Sequence, residues 1–230
     1  MLVTKNTARG KANIFTEQVF REKNITPLLS AMHSRIYGND KESQCIKLGE
    51  TPYWLSCKAV EGRVKKTLEP LVGRIGEGEI LEIGCAAGIS TVEIAQLFQK
   101  SRITAIDARP DALGIAKQEC AFLVKKGRAA FRVADGYNLE ETLGKKMFDA
   151  IFVLNSVLMI MAAFSDMELA RVMANFTGRL KSGGSLLLSL DETFILHRKG
   201  WNGMELVGKH VHFSCMQFDI TRACNAIEKK

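Results

Sequence analysis

The sequence lacks three features that would assign it to a specialised class of protein. No apolar run reaches the ~20 residues of a membrane span, and the N-terminal stretch MLVTKNTARGKANIF has basic residues but no apolar signal core. None of the six cysteines forms a Cys-x-x-Cys pair, and their spacing is irregular. We therefore predict a cytoplasmic protein with free, mostly buried thiols and no metal site.

An excess of one sign of charge is also missing from most of the chain. Residues 77–190 carry 13 Lys or Arg and 13 Asp or Glu, whereas residues 1–76 carry 13 against 7. The net charge of +7 therefore comes mainly from the N-terminal segment. This pattern indicates a solvated basic surface, and steering of an anionic partner is the alternative interpretation.

The length of 230 residues suits one domain with a terminal extension. Ile14 to Tyr37 has the apolar spacing of one or two amphipathic helices, and the polar stretch Gly38 to Gly49 is typical of a loop. We assign residues 1–56 to an N-terminal helical lid or extension and residues 57–230 to the main domain. A helix follows the boundary, with one apolar face formed by Val60, Val64, Leu68 and Leu71.

Short apolar strands then alternate with helical patterns. The predicted strands are Ile80–Ile83, Arg102–Asp107, Ala129–Ala134, Phe148–Leu154 and Ser185–Leu190. Two further strands, Met204–Val207 and His210–Ile220, have no helix between them, which favours an antiparallel pair. The pattern predicts an α/β fold with a doubly wound, mostly parallel, seven-stranded sheet.

Distinctive residues follow four of these strands, where an open parallel sheet binds its ligands. They are the turn Gly84 to Gly88, Asp107, the pair Asp135-Gly136, and the pair Asn155-Ser156. Glycines let the backbone approach a ligand closely. An acid at the end of the second strand can accept hydrogen bonds from both hydroxyls of a ribose. These features together predict a nucleoside site.

The sequence here resembles the class I S-adenosylmethionine-dependent methyltransferases. The matching segments are ILEIGCAAG, ITAIDA, VADG, FDAIFVLNSVL and RLKSGGSLLLS, in the order and spacing of that family. They cover about half of the chain, residues 75–190. One departure is Ala86, which stands where the family's glycine-rich motif has its middle glycine.

The resemblance implies that S-adenosyl-L-methionine is the cofactor. Its amino-acid end would contact residues of the first strand and turn, namely Glu82, Gly84, Cys85 and Gly88. Its nucleoside would contact residues at the next two strand ends, namely Asp107 at the ribose and Ala108, Asp135 and Gly136 at the adenine. Asn155 and Ser156 would lie beside the sulfonium and its methyl group.

A nicotinamide-dependent dehydrogenase is the alternative fold-level interpretation, because it also uses a strand, a glycine turn, a helix and an acid. Its fingerprint is Gly-x-Gly-x-x-Gly. Gly84, Ala86 and Ile89 occupy those three positions here, which is a poor match.

The acceptor is predicted to be a small molecule. The Asp/Asn-Pro-Pro-aromatic sequence that base-amino methyltransferases carry after the fourth strand is absent, and the apolar run Val157–Ala163 could wall an apolar pocket or begin a buried helix. Two alternatives remain. The acceptor could be RNA or a protein recruited by the basic N-terminal segment, or the domain could bind the cofactor without catalysis.

Residues for acid–base chemistry are scarce, since the chain has only four histidines. Methyl transfer is an in-line displacement for which a general base is optional. The catalytic candidates are therefore Asn155 and His197, the latter because it follows the fifth strand. His33, His210 and His212 have ordinary surface or packing roles as their default interpretation.

Overall fold

The computed structural model describes most of the chain from residue 63 onwards. The described residues are 44–48, 51–56, 63–75, 77–154, 166–190, 193–198 and 205–208. Asn155 and Ser156, the helices predicted within Ile14 to Tyr37, and the strand predicted at His210–Ile220 lie outside these ranges. Within the described ranges, no helix combines the length and apolar character needed to cross a membrane.

A β-hairpin precedes the main domain in the chain. Strand β1 (Gln44–Leu48) pairs antiparallel with β2 (Thr51–Ser56), with Leu48 opposite Thr51. The loop predicted at Gly38 to Gly49 is therefore wrong for Gln44–Leu48, because the polar residues of β1 gain their backbone partners from β2. The domain boundary after residue 56 stays a prediction.

The centre of the main domain is a seven-stranded sheet. Its strands are β3 (Glu79–Ile83), β4 (Arg102–Asp107), β5 (Ala129–Val133), β6 (Phe148–Leu154), β7 (Leu180–Leu190), β8 (Thr193–Arg198) and β9 (Glu205–Gly208). They lie in the order β5-β4-β3-β6-β7-β8-β9. The first five are parallel, and β8 and β9 are antiparallel to their neighbours. The predicted doubly wound α/β sheet is confirmed.

Helix α1 (Arg63–Leu68) precedes β3, and the other described helices connect the parallel strands. They are α2 (Ile89–Leu97), α3 (Pro110–Glu119), α4 (Ala121–Lys125), α5 (Leu139–Leu143) and α6 (Asp166–Gly178). A short 3₁₀ turn, Glu69–Leu71, extends α1, and Val64, Leu68 and Leu71 are buried as predicted. After Pro110, the apolar residues Leu113, Ala116 and Leu123 have the spacing of one helix, but the structure divides this segment into α3 and α4 at Cys120.

The two central strands, β3 and β6, are apolar because both faces of the sheet are covered. Ile80 to Ile83 are all buried, and Ala150 to Val153 have no exposed surface. Strand order places β3 between β4 and β6, and the chain reverses its direction across the sheet at this point. Such a switch point opens a crevice at the carboxyl ends of the strands.

Helix α2 begins directly after the glycine turn, and neighbouring elements hold its middle and its C-terminal end. In the middle, Glu93 accepts a hydrogen bond from the backbone N–H of Lys65 on α1 at 2.7 Å. At the C-terminal end, Arg128 donates from Nη2 to the carbonyls of Ala95 and Phe98 at 3.0 and 2.9 Å. A cation at this end complements the helix dipole. The turn therefore leads into a helix of fixed position.

Charged pairs occupy the opposite, amino edge of the parallel strands. Glu79 pairs with Arg102 at 2.6 Å and with Lys146 at 2.8 Å, and Asp149 pairs with Lys181 at 2.8 Å. Burial alone would raise the pKa of Glu79 and Asp149, but their hydrogen bonds and cationic partners outweigh it and lower both pKa values. Each of the two acids at this edge is therefore paired with at least one cation.

Two local features in the last third of the domain differ from what the sequence pattern indicates. Lys181 to Gly184 have the composition of a turn, but they belong to β7, where the register jumps from Phe148–Leu180 to Ala150–Ser185. The extra residues form a bulge, and Gly183 has a φ of 71°. Strand β8 was not predicted, and its pairing with β7 sets the antiparallel part of the sheet.

Candidate functional site

The turn Gly84 to Gly88 crosses the carboxyl end of β4. The backbone N–H groups of Gly84 and Cys85 donate to the carbonyl of Ile106 at 2.9 and 3.0 Å, and the N–H of Gly88 donates to the carbonyl of Cys85 at 2.8 Å. Cys85 is buried as a free thiol, and burial raises its pKa. The turn is thus tied to the neighbouring strand and not only to the helix it begins.

Gly88 is required by packing as well as by backbone conformation. Its φ is 89°, and a Cβ at this position would lie 2.8 Å from Cys120 Sγ and 3.3 Å from Ala116 Cβ. The thiol of Cys120 also donates to the carbonyl of Gly88 at 3.5 Å. The close approach predicted for this glycine is therefore made to the end of α3.

Ala86, the departure from the glycine-rich motif, has a φ of 45°. Among the described residues it is the one non-glycine residue with a positive φ. The left-handed region is unfavourable for an L-residue with a Cβ. Its backbone N–H donates to Asp107 Oδ2 at 2.9 Å. An ionisable side chain of β4 therefore holds the turn at the residue whose backbone conformation is least favourable.

Asp107 lies at the end of β4 and is half-buried. Oδ2 accepts from Ala86, and Oδ1 accepts from the backbone N–H of Arg109 at 2.9 Å. Burial raises the pKa of Asp107, and the two backbone bonds oppose that shift. Since each carboxylate oxygen has two lone pairs, each keeps one for a further donor.

Glu82 is buried beneath the turn, with 1% of its surface exposed. Its two oxygens accept hydrogen bonds from the hydroxyls of Ser90 and Thr91 in the first turn of α2, the latter at 2.5 Å. Burial raises the pKa of Glu82 to about 7, the two hydroxyls oppose this, and the charge of Asp107 adds to it. Glu82 therefore fixes the start of α2 from within the protein.

Asp135 follows β5 and is also buried. Its Oδ1 accepts from the backbone N–H of Tyr137 at 2.8 Å, and burial raises its pKa to about 6. A Cβ on Gly136 would lie 2.7 Å from Ile83 Cγ2, so this residue packs tightly against the end of β3. The ends of β3, β4 and β5 thus form one continuous surface.

Tyr137 was not predicted as a site residue. Burial and the charges of Asp135 and Asp107 raise the pKa of its phenol, which is therefore neutral at physiological pH. The signal in the sequence is an aromatic residue two positions after the acid of a strand end. That signal is weak, because the burial of the phenol and the influence of Asp107 on it arise only in the fold.

The structure brings the predicted residues of β3, β4 and β5 together at the carboxyl edge of the sheet. They are Glu82, Gly84, Cys85, Gly88, Asp107, Ala108, Asp135 and Gly136. His197 is placed differently, because β8 runs antiparallel and His197 lies opposite Leu186, four positions from the Leu190–Thr193 pair. Four strand residues span about 13 Å, which separates its backbone from the edge where β7 ends.

Replacing Asp135 with asparagine is expected to stabilise the free protein at pH 7 by about 1–3 kcal/mol. The raised pKa means that the folded state holds the proton more tightly than the unfolded state. The contribution of Asp135 to wild-type stability is therefore fully present below pH 3.8 and is lost as the pH rises through about 6. Asparagine carries no charge, and its oxygen can still accept from Tyr137.

Urea unfolding of Asp135→Asn and wild type between pH 4 and pH 8 measures this difference. The two stability curves should diverge between about pH 4 and 6 and run parallel above that range. Glu119→Gln, which neutralises an exposed acid at the end of α3, should leave the wild-type slope unchanged. Parallel curves for Asp135→Asn over the whole range would contradict the assignment of the raised pKa to this carboxyl.

Comparison with known proteins gives a family match over the part of the chain that carries this site. A family model described as "Methyltransferase domain" matches residues 80–184. No protein with a curated description matches the chain in sequence. The matched segment runs from β3 into β7 and includes all the strand ends described above.

Solved structures of methyltransferases align with just over half of the chain. The N-methyltransferase NodS from Bradyrhizobium japonicum WM9, in complex with S-adenosyl-L-homocysteine, is 26% identical, with a TM-score of 0.44 over 56% of this chain and 60% of that chain. The S-adenosylmethionine-dependent methyltransferase SibL is 18% identical, with a TM-score of 0.45 over 56% of this chain and 35% of that chain. The chain thus covers less than two thirds of either protein.

The family match and the fold agree on the same segment. The turn after β3 and the acids after β4 and β5 lie at the positions that the sequence motifs predicted, on the carboxyl edge of a doubly wound sheet. Residues 80–184 therefore make up a methyltransferase domain of the class I, S-adenosylmethionine-dependent type.

Proposed function

We propose that the protein is an enzyme that transfers a methyl group from S-adenosylmethionine to a small-molecule acceptor by in-line displacement. The observation that carries this proposal is the hydrogen bond between Ala86 N–H and Asp107 Oδ2. It joins the turn Gly84 to Gly88 and the acid of β4 into one unit within the matched residues 80–184. A ligand with an amino acid at one end and a ribose at the other suits such a unit.

The free acceptor capacity of the acids fits this cofactor. Asp107 keeps one lone pair on each oxygen, which suits the two hydroxyls of a ribose. Asp135 uses Oδ1 for Tyr137, and we assign Oδ2 to the amino group of an adenine. When bound, S-adenosylmethionine supplies a methyl group that is already activated by its positively charged sulfur.

The chain itself would then act by binding and alignment. Gly84, Cys85 and Gly88 offer backbone around the amino-acid end, and Glu82 keeps the first turn of α2 in place. Holding reactants in line can provide effective molarities of about 10⁵ M or more. We assign Asn155, which directly follows β6, to the neighbourhood of the reacting carbon in preference to His197.

Calorimetric titration with S-adenosylmethionine tests the binding step. We expect saturable binding with one site per chain, and no detectable binding at millimolar cofactor would overturn the proposal. Formation of S-adenosylhomocysteine in the presence of candidate acceptors tests catalysis. Cofactor binding without turnover of small molecules, RNA or proteins would instead support a non-catalytic binding protein.

An RNA acceptor is the second candidate, and the basic segment of residues 1–76 favours it. Nucleic-acid binding through lysine and arginine weakens steeply as salt is raised, because counterions are released from the phosphates. Retention on RNA that falls with salt would support this candidate. Retention that does not depend on salt, or no retention, would leave the small-molecule acceptor as the proposal.

A further inference from the structure

The left-handed conformation of Ala86 has to be held by something outside the residue itself. With a φ of 45°, the alanine sits in a region whose cost corresponds to a loss of about 5- to 30-fold in population relative to right-handed backbone. A glycine would occupy the same conformation at no such cost. The alanine therefore makes the shape of the turn depend on its contacts.

The contacts of the turn divide into two kinds. Gly84, Cys85 and Gly88 are held by backbone carbonyls, which cannot change their charge or their acceptor capacity. Ala86 is held by Oδ2 of Asp107, a side chain that is half-buried and open to a further donor. Ala86, which has the least favourable backbone conformation in the turn, is thus the residue whose hydrogen-bond acceptor can also bind a ligand.

We propose that Ala86 is a positioning residue through which Asp107 sets the conformation of the turn. The proposal rests on the proposed function for the identity of the ligand. In that function the carboxylate of Asp107 binds the ribose, and the turn that it also holds binds the amino-acid end. Occupancy of the two ends is then coupled, and such coupling is reciprocal. The dependence of the turn on Asp107 is itself a property of the free protein.

Amide hydrogen exchange in the free protein tests this dependence without any cofactor. The amide of residue 86 loses its acceptor whenever Asp107 is replaced, so the informative amides are those of Cys85 and Gly88, which donate to backbone carbonyls. In the Ala86 background, Asp107→Ala should raise their exchange by about 5- to 30-fold, the range set by the left-handed penalty. In the Ala86→Gly background, the same substitution should raise it by less than about twofold, because glycine keeps the conformation unaided. The amide of Arg109 is the internal control, since it loses its bond to Asp107 Oδ1 and should respond equally in both backgrounds.

An equal rise at the amides of Cys85 and Gly88 in both backgrounds would overturn the proposal. If Asp107→Ala does not fold, Asp107→Asn gives the same comparison, because an amide has one acceptor oxygen for two backbone donors. A second measurement adds adenosine to the folded wild type and to Ala86→Gly. Adenosine should slow exchange at the turn in the wild type by a larger factor than in Ala86→Gly, and an equal factor would also overturn the coupling. Failure of S-adenosylmethionine to bind would remove the proposed function but leave the result in free protein unchanged.

Discussion

Replacing Asp107 with alanine is expected to weaken the binding of S-adenosylmethionine by about 100-fold or more. Two hydrogen bonds from ribose hydroxyls to a carboxylate would be lost, and hydrogen bonds to charged groups contribute about 1.5–3 kcal/mol each. The substitution also removes the acceptor for the backbone N–H groups of Ala86 and Arg109. Direct and indirect losses therefore act in the same direction.

Calorimetric titration of Asp107→Ala against wild type measures this loss. Glu119→Ala is the matched control, because it removes one negative charge from the exposed end of α3 and should change the affinity by less than about twofold. Circular dichroism of both variants shows whether the fold persists. An Asp107→Ala protein that is folded and binds with wild-type affinity would remove Asp107 from the cofactor site.

Replacing Gly88 with alanine is expected to destabilise the fold by about 2–4 kcal/mol. Left-handed backbone costs an alanine about 1–2 kcal/mol, and forcing a methyl group into a packed interior costs about 1–3 kcal/mol. A small gain comes from the lower entropy of the unfolded chain, about 0.4–1 kcal/mol. The overlap is with Cys120 Sγ, 2.8 Å from the position of the added Cβ.

Gly127 supplies a control in which the backbone conformation is unfavourable for alanine but the packing is not. Gly127 also has a positive φ, of 66°, but a Cβ there would meet nothing within 4 Å. We expect Gly127→Ala to lower the free energy of unfolding by about 0–1.6 kcal/mol, since chain entropy offsets part of the backbone strain. Urea unfolding of both variants separates packing from backbone strain.

Removing the thiol should rescue part of the loss. Cys120→Ala in the Gly88→Ala background takes away the atom that the new Cβ overlaps, although Ala116 Cβ still lies 3.3 Å away. The double variant should therefore be more stable than the sum of the two single effects predicts. If Gly88→Ala and Gly127→Ala lower stability equally, the contact between the turn and α3 has no energetic role.

Strands and acids of the parallel sheet could be predicted because local pattern and burial agree there. Phe148–Leu154 is nearly all apolar, as a strand covered on both faces must be, and the structure gives the same bounds. Asp107 is the last residue of its strand both in the prediction from the sequence and in the structure. Because the strands are parallel, residues at their carboxyl ends meet at one edge of the sheet, and the order of strands and helices along the chain is enough to predict this.

Features that depend on pairing between distant segments could not be predicted. In the strand Gln44–Leu48 the alternation is limited to Ile46, Lys47 and Leu48, which is too short a pattern to identify a strand, and the strand is defined by its pairing with β2. The position of His197 depends on the antiparallel register between β8 and β7. The number of residues between His197 and β7 in the sequence does not reveal that register. The contact between Gly88 and Cys120 joins the turn after β3 to the end of α3, and neither residue type predicts this contact from the sequence.

At Ala86, too, the sequence alone does not determine the local structure. The sequence identifies it as a departure from a glycine-rich pattern, but the pattern alone does not tell whether the alanine changes the turn or keeps its shape. The φ of 45° shows that the shape is kept, and the bond to Asp107 gives the physical reason.

The ion pairs at the amino edge have a consequence for engineering. Glu79 and Asp149 have lowered pKa values, so their stabilising contribution is present above the ordinary acid range and is lost as the pH falls. Glu82 and Asp135 behave in the opposite sense, since their raised pKa values make ionisation costly as the pH rises towards about 7 and about 6. The proposed ligand edge thus weakens the fold at neutral pH while the opposite edge supports it. Protein engineers seeking a more heat-resistant form should add ion pairs beside Glu79 and Asp149, about one strand length away from the turn and its acids.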